Sequence, residues 1–134
     1  MKLRYKISIL LAVVLLILLG GGYFTVDRFF KSMCGNQIYQ THLSTDSRNK
    51  VVIFQRDCGA TTGFSTQVSV LPVSETLENE AGNVFISNGH PKETSLKVLW
   101  KDSQNVSITF DPNKFEIFKQ KVLLGETSIT YNSN

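Results

Sequence analysis

The chain has only two cysteines and two histidines in 134 residues, and no H-x-H, H-E-x-x-H or zinc-type cysteine pair joins them. A metal would need three or four convergent ligands drawn from distant loops, so the pattern argues against a metal site. No G-x-S-x-G is present, and Gly59-Ala60-Thr61-Thr62-Gly63 lacks the lysine and the following helix of a phosphate loop. The scattered acids offer no spaced carboxylate pair of the kind that cleaves glycosides. A basic excess is missing too. The formal +3 resides in the N-terminal part, and from Cys34 onward nine Lys and Arg stand against ten Asp and Glu, a net of −1. Phosphate-backbone binding needs a basic face, so a nucleic-acid partner is not expected. A cofactor is not expected either. Thiol catalysis at Cys58, or metal catalysis at His42 and His90, is the least favoured reading: an ionised Asp57 beside Cys58 would raise the thiol pKa and oppose its activation.

What is present starts with three cations, Lys2, Arg4 and Lys6, in residues 1–6, followed by the uncharged run ISILLAVVLLILLGGGYFTV over residues 7–26. Twenty residues at about 1.5 Å each span about 30 Å as a helix, the thickness of a bilayer's hydrocarbon core. Residues 7–26 therefore read as a transmembrane signal anchor, with the basic tail cytoplasmic and everything C-terminal exported. Tyr23 and Phe24 would lie at the outer interface. The rival is a cleaved signal peptide, since Gly20 and Gly22 stand in the −3/−1 relation, although Ala-x-Ala is absent and the uncharged span continues past them. Both readings export the rest of the chain. Residues 27–33, DRFFKSM, form a short juxtamembrane linker suited to lying against headgroups or to continuing the helix.

From Gln37 the apolar period changes from helical to extended. Ile38–Leu43 reads as a strand. Val51–Gln55 reads as a strand buried on both faces, and Phe64–Val70 as a half-buried strand with Phe64, Thr66, Val68 and Val70 on one side. ETLENEAG, residues 75–82, reads as an acidic surface loop or at most one helical turn, and Asn83–Ser87 as a short strand. Leu96, Val98 and Trp100 can share an apolar face with Val106, Ile108 and Phe110 across a hairpin. Phe115 to Ile117, Val122 to Leu124 and Thr127 to Tyr131 supply material for the last strands. Residues 46–54 and 102–110 echo one another, with Asp, Ser, Asn and Phe recurring in place. Such Asp/Ser turns hydrogen-bond the local backbone, and two copies cannot close a propeller.

The fold expected is therefore mainly β: one N-terminal transmembrane helix, then residues 34–134 as a single extracytoplasmic, all-β antiparallel domain. It should have about six to eight strands, arranged as a small sandwich or open barrel. In an oxidising compartment Cys34 and Cys58 most simply form one disulfide, which would contribute about 3 kcal/mol. The polar loop between the two central strands holds the side chains best able to grip a partner: Arg56, Asp57, Thr61, Thr62 and Ser65. Arg56 can bind a carboxylate or phosphate bidentately. The plainer alternative is that these residues satisfy a tight turn.

The C-G-N of Cys34 to Asn36, the R-D-C-G-A-T-T-G-F-S-T-Q of Arg56 to Gln67, and Trp100-Lys101-Asp102 resemble the motifs of a family of small membrane-anchored bacterial proteins. The resemblance covers most of residues 34–110, carries no activity, and implies a bacterial inner-membrane anchor facing the periplasm or exterior. Together these readings suggest a non-enzymatic binding module, anchored through residues 7–26, that meets a protein or envelope component. The alternative is an envelope immunity or inhibitor protein acting against a toxin or hydrolase.

Overall fold

The computed structural model describes residues 2–59, 62–113, 116–119 and 127–134. Two compact units divide the chain, Met1–Met33 and Cys34–Asn134. In the first, α1 (Lys2–Ser32) is one continuous helix of 31 residues. The basic tail from Lys2 and the juxtamembrane stretch as far as Ser32 thus both extend the helix. Lys6–Val26 within it is long and apolar enough to cross a membrane. Its hydroxyls are satisfied along the helix: Ser8 donates to the Arg4 carbonyl and Thr25 to those of Gly21 and Gly22. Such bonds let polar side chains sit in an apolar helix without an orphaned donor.

The second unit is all β. One sheet has five strands in the order β1 (Gly35–Leu43), β2 (Asn49–Asp57), β3 (Phe64–Pro72), β4 (Phe85–Asn88) and β7 (Glu116–Lys119), all antiparallel. The other holds β5 (Lys97–Trp100), β6 (Asn105–Phe110) and β8 (Ser128–Ser133). Their facing sides share one core, in which Val51, Ile53, Val68, Val70 and Phe85 of the first sheet meet Val98, Val106, Ile108, Phe110 and Ile129 of the second. Phe85 and Phe110 touch across it with ring centroids 5.6 Å apart. This is the expected mainly-β sandwich. The hairpin register also agrees, with Val98 opposite Ile108 and Trp100 opposite Val106. Trp100 further ties the sheets together, its indole N–H donating to the His42 carbonyl, while the Tyr131 hydroxyl donates to that of Val84.

Three details depart from the sequence reading. β8 runs parallel to β6, so the domain is not wholly antiparallel. β7, between them in sequence, pairs in the opposite sheet, so β6 and β8 are not joined as a hairpin and need not be antiparallel. Second, β3 is buried on both faces rather than half-buried, with Gln67 and Ser69 as inaccessible as Val68. Third, Asn83 is not in a strand. Its side chain pairs with both the N–H and the C=O of Val70, imitating a strand residue, and β4 begins at Phe85. The reading of Val122–Leu124 as strand material lies outside the described residues.

The second and third departures share one cause, the segment of residues 73–83, which crosses the outer face of the first sheet. Lys50 Nζ donates to the carbonyls of Val73 and Glu75, Gly82 N–H donates to Gln67 Oε1, and Asn83 N–H donates to Ser69 Oγ. Val52 and Phe54, which point away from the core, are thereby 1% and 0% exposed. Gly82 must approach very closely: a Cβ there would lie 2.8 Å from the Val68 carbonyl oxygen and 2.9 Å from that of Phe85. Backbone oxygens cannot swing aside as a side-chain tip can. Gly82→Ala is expected to lower stability by about 1–3 kcal/mol, as overpacking does, measured by thermal or urea unfolding of the full chain. Unchanged stability would mean that the segment does not clamp the sheet.

Candidate functional site

The polar loop between β2 and β3 follows from its residues. Gly59 has φ +101°, a conformation open to glycine at little cost. Asp57 Oδ1 accepts the Gly59 N–H at 2.9 Å, an Asx turn, and Thr62 Oγ1 donates to the Gly59 carbonyl at 3.1 Å. Ser65 Oγ donates to the Arg56 carbonyl and accepts from Gln67 Nε2. Thr61 lies outside the described residues.

Arg56 is the residue with most to offer a partner, and it is 8% exposed. Its Nη1 donates to Asn36 Oδ1 at 2.6 Å, to Asn79 Oδ1 at 3.1 Å and to the Glu80 carbonyl at 3.1 Å. Asn36, directly across the ladder from Arg56, donates through Nδ2 to the carbonyls of Glu78 and Glu80, and Asn79 Nδ2 donates to the Cys34 carbonyl. Two positions further along, just past the final ladder pair Gly35–Asp57, Cys34 and Cys58 are joined as a disulfide, and no described cysteine is free. The C-G-N and R-D-C motifs thus meet side by side on β1 and β2 and hold residues 78–80 in place. Burial lowers the Arg56 pKa, with the Glu80 carboxylate opposing the shift. Among the described candidates, Arg56 is committed to this internal network, together with Asn36, and Asp57, Thr62 and Ser65 to the turn.

The two histidines do not converge on a metal-type cluster, and no group of three or more His, Cys, Asp or Glu able to hold an ion occurs among the described residues. His90 instead stands between Tyr39 and Phe64, edge-on to each with centroids 6.4 Å away. Tyr39 and Phe64 are 41% and 49% exposed, and Ile38, opposite Phe54 on β2, is 56% exposed. This exposed apolar row went unread in the sequence because Tyr39 sits at an irregularity in the β1 register, between Ile38 and Gln40, which breaks the alternation used to assign faces.

The echoed Asp turns prove to be one device used twice. Asp46 Oδ1 accepts from Ser44 Oγ and the Arg48 N–H, Asp102 Oδ1 accepts from the N–H groups of Gln104 and Asn105, and Asn49 and Asn105 each open a strand. Both turns border a concavity of about 500 Å³ lined also by Asn49, Val70 and Thr127. No protein-family model, curated protein or solved structure matches the chain.

Arg56→Ala would remove the buried donor shared by Asn36 Oδ1, Asn79 Oδ1 and the Glu80 carbonyl and is expected to cost about 1–3 kcal/mol, whereas Thr62→Val, at the surface, should change stability by about 0.5 kcal/mol or less. Chemical unfolding of both variants measures this, and an Arg56→Ala protein as stable as the parent would return Arg56 to the list of binding residues. The Ser44 and Arg48 hydrogen bonds hold Asp46 down to about 2 from its usual 3.8. A carboxylate lowered on folding stabilises the native state above its unfolded pKa and loses that contribution as pH falls through the folded value. The stability difference between parent and Asp46→Asn should therefore be constant above about pH 5 and shrink between about pH 4 and pH 2, read from unfolding midpoints against pH.

Proposed function

We propose that the chain is a non-enzymatic binding module held at the outer face of a bacterial cytoplasmic membrane, with residues 7–26 as the span and residues 34–134 outside. The observation that carries this reading is a contrast on the domain's surface. The described polar motif residues are consumed by internal hydrogen bonds, while apolar and aromatic side chains at Ile38, Tyr39 and Phe64 are left to solvent. Surface of that kind marks contact sites more often than catalytic ones. The topology is supported by the apolar helix, by the cations that precede its uncharged run, and by a disulfide of the kind that persists in oxidising compartments. The motif resemblance adds the bacterial envelope. A protein or envelope component is the partner this surface suits.

A photo-crosslinking amino acid at Tyr39 in intact cells should give discrete adducts on irradiation, while the same group at Leu99, exposed on β5, should give none. Thiol-reactive polyethylene glycol should label the protein only after reduction. Two thiols reactive without reductant would overturn the exported topology, and a reproducible absence of Tyr39 adducts would overturn the binding role.

A further inference from the structure

β1 ends the five-stranded sheet, and among the described residues one of its edges has no strand beside it. Which backbone groups face that edge follows from the ladder. Ser44 N–H donates to the Asn49 carbonyl at 2.9 Å, which turns Asn49 toward β1. By the alternation of an antiparallel pair, Val51, Ile53, Gln55 and Asp57 turn the same way. Their partners on β1 are bonded inward, and the intervening residues Leu43, Thr41, Ile38 and Asn36 present N–H and C=O outward. Edge strands are ordinarily protected by brevity, proline or charge. β1 has nine residues, GNQIYQTHL, with no proline, lysine, arginine or acid, whereas β5 and β7 have four each and β8 has six. Only the irregularity at Tyr39 interrupts it.

Beside this edge lies a concavity of about 510 Å³ whose lining includes Tyr39, Gln40, Lys92, Leu96 and Lys97, and no acidic side chain. Lys92 and Lys97 are exposed, and neither belongs to an ion pair among the described residues. We propose that β1 is a strand-addition site for an extended acidic segment of a partner protein. The partner's main chain pairs with Ile38, Thr41 and Leu43, and its carboxylates meet Lys92 and Lys97. Main-chain pairing of this kind supplies affinity while alternate side chains select the sequence. A second copy of the chain fits less well, because pairing two β1 edges would bring two sets of lysines together. This rests on the reading of the domain as a binding module and names its partner class.

The test uses the full chain in lipid nanodiscs, with hydrogen exchange read at single-amide resolution. The probes are a nine-residue peptide alternating valine and glutamate, matched in length to β1, and its valine–lysine counterpart. The glutamate peptide should slow exchange at Ile38, Thr41 and Leu43, and the lysine peptide should not. Thr41→Pro removes an outward N–H that the β1–β2 ladder does not use, a position where an edge strand tolerates proline, and should abolish the protection. If that variant fails to fold, Lys92→Glu with Lys97→Glu keeps the question open to measurement and should weaken the glutamate peptide about fivefold or more. No protection at millimolar peptide, equal protection by both peptides, or concentration-dependent protection without any peptide would each overturn the proposal, the last by assigning the edge to a second copy. Should the edge fail while Tyr39 still crosslinks in cells, the binding role stands and its site lies elsewhere; if both fail, the module reading falls with it.

Discussion

The Asn36–Arg56 pair beside the Cys34–Cys58 disulfide is the constraint on which the rest of the domain depends. The disulfide, spanning 24 positions, fixes the entry of the chain into the sheet and is worth about 3 kcal/mol by the chain-entropy account. Arg56 and Asn36 then convert that fixed corner into a clamp on residues 78–80. A buried guanidinium is tolerable only when its donors are met, and here two asparagine side chains and a main-chain carbonyl accept from Nη1.

The clamp explains why so small a domain can bury a sheet on both sides. The second sheet covers one face. The segment at 73–83, closed by Gly82 and by the strand-mimicking Asn83, covers the other and seals Val52 and Phe54. Gln67 and Ser69 become buried without becoming orphaned, since Gly82 and Asn83 donate to them. Among the described residues no buried side-chain nitrogen or oxygen lacks a partner.

For function the consequence is a change of address. The residues that look most reactive are those holding the corner together. What is left facing outward, among the described residues, is an unpaired strand edge, a row of Tyr39, His90 and Phe64, and two lysines outside any ion pair. These are the features on which the proposed recognition of another chain through backbone and charge rests.

The sequence by itself determined the period-2 strands, the apolar N-terminal helix, the Val98–Trp100 hairpin register and the Asp turns at 46 and 102, because each is settled by residues within about ten positions of one another. It also contained a hint of the covered face, in the polar residues Ser65, Gln67 and Ser69 alternating with valines, but alternation cannot say whether a polar face meets water or a crossing segment. Tertiary structure alone decided that Arg56 would be spent on Asn36 and Asn79, 20 and 23 positions away, and that β8 would run parallel to β6. It alone left the β1 edge without a partner strand among the described residues. Each of these turns on which distant segment arrives beside a given strand, and local propensity carries no information about that arrival.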